Sequence, residues 1–149
     1  MTTKVLLASQ AHWVTRGLVA ALVGAVGALS VATPSQAVSL ACEASYVAIS
    51  AWNSPSPGGF QGELTVTNIG TAPMSSWTVA TQFESGVVIQ NYWSSRLVAG
   101  LGTPWPTFAN ISLNGALGLG QQTSFGIIAK QSPSYPGSVS PFYLNCLAN

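Results

Sequence analysis

Downstream of Ala37 the chain carries three carboxylates, Glu43, Glu63 and Glu84, two cations, Arg96 and Lys130, and neither aspartate nor histidine. Histidine is the usual general base near neutral pH and a common metal ligand, so its absence removes most acid–base and metal chemistry. Glycoside hydrolysis needs two carboxyl groups at a set separation. Here Glu43 adjoins Cys42, and Glu84 precedes the turn residues Ser85 and Gly86. A copper-dependent oxidase would need a histidine at the start of the working chain, and the sole histidine, His12, lies upstream. With no Cys/His ligand set and no EF-hand pattern, neither a metal nor another cofactor is expected. What the region does carry is aromatic: Trp52, Trp77, Trp93 and Trp105, with Tyr46, Tyr92, Tyr135 and Tyr143. Rings without titratable neighbours suit the binding of something flat and neutral.

The rings divide by context. Trp77 shares a period-two face with Val79 and Phe83, which predicts a core residue whose indole N–H finds an internal partner. Trp93 stands two residues after Asn91 in a polar run, so a ring and an amide project from one strand face. Trp52 opens a loop of Asn, Ser, Pro and Gly where a core residue has little to pack against. The ordinary alternative for Trp52 and Trp93 is burial or loop packing. Trp105 lies between Pro104 and Pro106, either packing its own loop or serving as a further exposed ring.

The elements that must hold these rings are strands. Gly, Pro, Ser and Asn recur roughly every eight to twelve residues, and apolar residues alternate between them. From Phe60 to Asn68, Phe60, Gly62, Leu64 and Val66 take one face while Gln61, Glu63, Thr65 and Thr67 take the other. Trp77, Val79, Thr81 and Phe83 repeat the pattern after the turn Asn68 to Pro73; Phe125, Ile127 and Ala129 repeat it again, and Phe142 and Leu144 follow a loop with Pro133, Pro136 and Gly137. Between Ser39 and Trp52, Cys42, Tyr46 and Ile49 would also suit a helical face; a strand is favoured because Cys42 must reach Cys146. Antiparallel strands with one apolar face each pack sheet against sheet, so the expected fold is an all-β sandwich.

The N-terminal segment reads as an export signal over residues 1–37. Lys4 and Arg16 supply a basic flank, Gly17 to Ala32 an apolar run shorter than a membrane span, and Ser35-Gln36-Ala37 a cleavage site. A secreted domain from Val38 to Asn149 follows, and export favours a disulfide between Cys42 and Cys146, joining the two ends. Closing so long a loop stabilises a fold by about 4 to 5 kcal/mol in the chain-entropy picture.

In order, Cys42, Tyr46, Trp52, Gly59-Phe60, Leu64 to Gly70, Trp77-Thr78-Val79, Phe83, Ser85-Gly86, Trp93, Leu113-Asn114-Gly115, Ser124-Phe125-Gly126 and Phe142 to Cys146 resemble the family 2 carbohydrate-binding modules of bacterial secreted glycosidases. The resemblance implies an immunoglobulin-like antiparallel sandwich and a flat strip of exposed rings that stacks on cellulose, chitin or xylan. Trp52 and Trp93 match two of the strip's three aromatic positions. At the third the family has tryptophan before Asn-Gly, whereas here Leu113 precedes Asn114-Gly115 and offers an apolar contact with less stacking. Asn91 keeps the amide character of one neighbouring position, Glu63 replaces an amide at another, and Trp105 is a candidate displaced third ring.

The expected function is therefore non-catalytic binding of an insoluble polysaccharide through Trp52, Trp93, Asn91, Trp105 and Leu113. The alternative is a secreted protein-binding or adhesion module on the same scaffold, with tryptophan and tyrosine as hot spots. Three carboxylates against two cations leave a net charge of −1 and no basic run, so nucleic acid is not an expected partner. A monomer without membrane association is expected after export.

Overall fold

The computed structural model describes residues 37–53, 58–131 and 139–149. The leader up to Gln36, Ser54 to Pro57 of the loop after Trp52, and Tyr135 with Pro133, Pro136 and Gly137 lie outside the described residues. The described secondary structure is all strand: β1 (Cys42–Trp52), β2 (Gly59–Asn68), β3 (Trp77–Gln82), β4 (Val88–Trp93), β5 (Arg96–Ala99), β6 (Thr107–Ala109), β7 (Gln122–Lys130) and β8 (Tyr143–Ala148). They form two antiparallel four-stranded sheets, ordered β1-β2-β7-β4 and β5-β6-β3-β8.

The alternation read from the sequence becomes the core. Phe60, Leu64 and Val66 of β2 and Phe125, Ile127 and Ala129 of β7 are buried against Trp77, Val79, Phe83 and Phe108. Trp77 stacks on Phe125 at 5.3 Å between ring centroids, and its Nε1–H donates to the Asn114 carbonyl at 2.8 Å, so the expected core tryptophan has its internal partner. The Cys42–Cys146 disulfide forms, with Cα atoms 5.6 Å apart, and joins edge strand β1 of one sheet to edge strand β8 of the other. Asn68 turns the chain from β2 towards β3: its Nδ2 donates to the Ala72 and Leu117 carbonyls while its Oδ1 accepts the Gly70 N–H. Segment 42–52 is a strand, with Tyr46 rather than Ile49 facing inward. Tyr46 covers Gly62, meets Phe83 edge-on and donates its hydroxyl to the Val139 carbonyl. Burial pushes the Tyr46 phenol up to about 12. Phe142 departs from the expected alternation: it is exposed just before β8, where Leu144 and Cys146 face the core.

Candidate carbohydrate-binding face

A one-residue bulge on each edge strand of the first sheet decides which way the tryptophans point. On β1, Tyr46 and Ala48 pair with Leu64 and Gly62 on the inner parity, so unbroken alternation would turn Trp52 inward as well. The register slips between Ala48 and Ser50, leaving Ile49 as the extra residue, and Trp52 pairs with Gly59 on the outer parity. β4 repeats the device. Ile89 is buried, the register slips between Ile89 and Asn91, and Trp93 then pairs with Gly126 on the outside while Tyr92 turns in to meet Phe108 edge-on.

Each tryptophan leans over the glycine opposite it. A Cβ on Gly59 would lie 2.7 Å from Cζ2 of Trp52, and one on Gly126 would collide with Cζ2 and Cε2 of Trp93. Glycine is thus required at both places because an indole, joined at Gly59 by the Ala129 carbonyl, occupies the side-chain space. The rings remain partly open, at 36% for Trp52 and 41% for Trp93. Four residues of β2 separate Gly59 from Glu63, the partner of Gly126, which sets the two rings about 13 Å apart along the strands and one strand spacing, about 5 Å, across. Gln61, Glu63, Ile128 and Asn91 share the face between them. Asn91 is exposed, and its Oδ1 accepts the Tyr92 N–H at 2.9 Å, which fixes the amide and leaves Nδ2 to donate outward.

Leu113 stands beyond Trp93, 90% exposed in the turn between β6 and β7. Its neighbour Asn114 donates Nδ2 to the Ser94 carbonyl at 2.7 Å and accepts the Ile111 N–H at 3.0 Å, tying the turn to the end of β4. Trp52, Trp93 and Leu113 therefore follow one another along the strand direction. Trp105 does not join them, which corrects the expectation of a displaced third ring. It precedes β6 on the other sheet, beside Gln82, Thr107 and Tyr143. The strand pairing explains this, since β6 belongs to the sheet whose outer face is turned away from β1 and β4. Among the described residues no cluster of three or more His, Cys, Asp or Glu side chains gathers to hold a metal ion.

The profile of the cellulose binding domain family matches residues 42–146, from one bridging cysteine to the other. The chain belongs to this family. As a cellulose binding domain it is 38% identical over 119 residues to chitinase C of Streptomyces lividans, covering 80% of this chain and 17% of that enzyme. The chain spans between about a tenth and a fifth of the length of the curated relatives it matches. Among solved structures it resembles the chitin-binding domain of Chi18aC from Streptomyces coelicolor, at a TM-score of 0.53 and 30% identity over 70% of this chain and 89% of that one. It also resembles the cellulose-binding family 2 domain of ScLPMO10C, at a TM-score of 0.54 and 26% identity over 74% of this chain and 99% of that one. The family is one of binding domains, and the chain matches it over the sandwich that carries the tryptophan face.

Proposed function

We propose that this cellulose binding domain attaches to insoluble polysaccharide without turning it over, and that Trp52 and Trp93 are the principal contacts. The observation that carries this reading is the pair of bulges that brings both indoles to one flat outer face, each backed by a glycine. A pyranose presents axial C–H groups on its faces, and an indole laid against one removes apolar area from water while its electron-rich face meets slightly positive hydrogens. At about 100 Å² per ring face and roughly 25 cal/mol per Å², each ring contributes about 2 to 3 kcal/mol before the costs of association. Two rings supply about 4 to 6 kcal/mol before those costs, which makes each site weak by itself. Asn91 donates to sugar hydroxyls between them, and Leu113 extends the apolar track past Trp93.

The relatives named above are associated with chitin and with cellulose, which supports one of these β-linked polymers as the ligand; xylan is the third candidate. Export through the leader at residues 1–37, and action as an extracellular monomer, belong to the same proposal and are supported by the basic flank, apolar run and small-residue cleavage site. The protein-binding alternative is not favoured by the family or by these relatives.

The test is a pull-down of residues 38–149 on microcrystalline cellulose, chitin and insoluble xylan, with Trp52→Ala and Trp93→Ala alongside, at low and high salt. Salt-tolerant retention on at least one polymer, lost in both variants, is the expected result. A folded domain retained by none of the three would overturn the reading.

A further inference from the structure

The outer face of the second sheet carries a second arrangement of rings, built differently. β3 lies between β6 and β8, and two cross-strand rows are legible on its solvent side. In one, Ala80 has Thr107 on its β6 side and Asn145 on its β8 side. In the next, Gln82 has Tyr143 on its β8 side, while the segment leading into β6 brings Trp105 to its other side. Ala80, Thr81, Gln82, Trp105, Thr107 and Tyr143 line an open hollow of about 260 Å³. At about 30 Å³ per displaced water, that is room for about one sugar residue and its hydroxyls. β6 and β8 are two strand spacings apart, about 10 Å. A pyranose with an aromatic carbon surface on either side needs about 8 Å, twice the usual van der Waals separation.

Trp105 is held ready without being used by the core. The Phe83 N–H donates to the Pro104 carbonyl at 2.8 Å, and both the N–H and Oγ1–H of Thr81 donate to the Pro106 carbonyl at 3.0 Å. The two prolines fix φ on either side, and Gly100, at φ +77°, lies against the Trp105 carbonyl where a Cβ would collide. The backbone is thus pinned at several points while the indole stays 60% exposed, and Tyr143 across from it is 49% exposed. A ring whose loop is already ordered loses little conformational freedom on binding. The lining has no charged side chain, and it offers an amide from Gln82, hydroxyls from Thr107 and Tyr143, and two ring surfaces.

We propose that this hollow is a second glycan site, which takes a single neutral β-linked chain, one residue seated between Trp105 and Tyr143 with its hydroxyls bonded by Gln82 and Thr107. A hollow of this size matches one residue of a free chain or a soluble oligosaccharide. With the tryptophan face on the opposite side of the sandwich, the domain holds two pieces of polysaccharide at once. The inference borrows the class of ligand from the proposed function.

The experiment is an amide-resolved NMR titration of residues 38–149 with soluble hexamers of β-1,4-linked glucose and N-acetylglucosamine, run beside the solid-phase pull-down. Expected are shifts clustered at Gln82, Trp105, Thr107 and Tyr143, hexamer affinity at least tenfold weaker in Trp105→Ala and in Tyr143→Ala, and unchanged retention on solid polymer in both. The double variant Trp52→Ala/Trp93→Ala should lose solid retention and keep hexamer binding at Trp105. Hexamer shifts confined to Trp52 and Trp93, or no hexamer binding by a domain retained on solid polymer, would overturn the second site and leave the first reading standing. Absence of binding to solid and soluble forms alike would overturn both.

Discussion

On the outer face of β1-β2-β7-β4, Trp52 and Trp93 lean across glycines; on that of β5-β6-β3-β8, Trp105 and Tyr143 flank Gln82 with the small side chain of Ala80 in the next row. Both faces set rings beside amides, Asn91 and Gln61 on the first and Gln82 on the second, and the first also carries the carboxylate of Glu63. What differs is the residue that receives the ring. Glycine opposite an indole lets the ring cover the sheet and keeps the face level, whereas a row with aromatics on its outer positions and small or flexible groups between leaves a hollow. The same apolar payload per ring therefore yields a platform on one side and an open hollow on the other.

The largest test of that difference removes the platform altogether. Trp52→Ala/Trp93→Ala should cost about 5 kcal/mol of gross contact and abolish retention on solid polymer, with each single change weakening it about 30- to 150-fold in an adsorption isotherm. Thermal unfolding should be nearly unaffected, because neither ring belongs to the core. Removing the bridge with Cys42→Ser/Cys146→Ser should lower unfolding stability by about 4 kcal/mol, read by urea titration, and weaken both faces together because it spans both sheets. Gly126→Val is a narrower break. Its side chain takes the space of the Trp93 ring, so solid retention should fall about tenfold or more while a soluble hexamer at Trp105 binds as before. Leu113→Trp sharpens the contrast in the other direction, extending the platform and strengthening adsorption by about tenfold.

The smallest effect concerns alkaline pH. The Tyr46 phenol has its pKa raised by burial to about 12, so the folded state holds its proton more tightly than the unfolded chain. The stability this confers is present in full below the unfolded value of about 10 and is lost as pH rises towards 12. Tyr46→Phe should lose the bond to the Val139 carbonyl at neutral pH and flatten the alkaline decline, measured as the melting temperature across pH 8 to about 12.

The sandwich was legible because period-two alternation is long in β2, β3 and β7, where the inward Phe60, Leu64, Val66, Trp77, Val79, Phe125, Ile127 and Ala129 are all buried. The disulfide followed from two cysteines bracketing a region predicted to be exported. The tryptophan face was legible in part. Trp93 and Asn91 were expected to share a strand face and do, but Trp52 was read as opening a loop and is the last residue of β1. The bulges explain the gap. A single extra residue reverses the parity of all that follows it, and neither Ile49 nor Gln90 carries a turn residue's signature. Trp105 was left between packing its own loop and serving as a third ring for a related reason: proline punctuation marks a loop, while which sheet the loop serves is fixed by long-range pairing of β6 with β3.

The placement of Cys42 and Trp52 at opposite ends of β1 bears on how the domain carries load. If Trp52 grips polymer as proposed, a load on the ring would pull on one end of this strand, and the ladder to β2 would resist sliding along its length. The hydrogen bonds of an antiparallel ladder lie across that direction, so they share the strain together instead of opening one after another. Should the ladder yield, the covalent link at the far end still stops the strand from being drawn out. On the proposed function the domain would be a fastener whose seam is loaded in shear and riveted behind the grip.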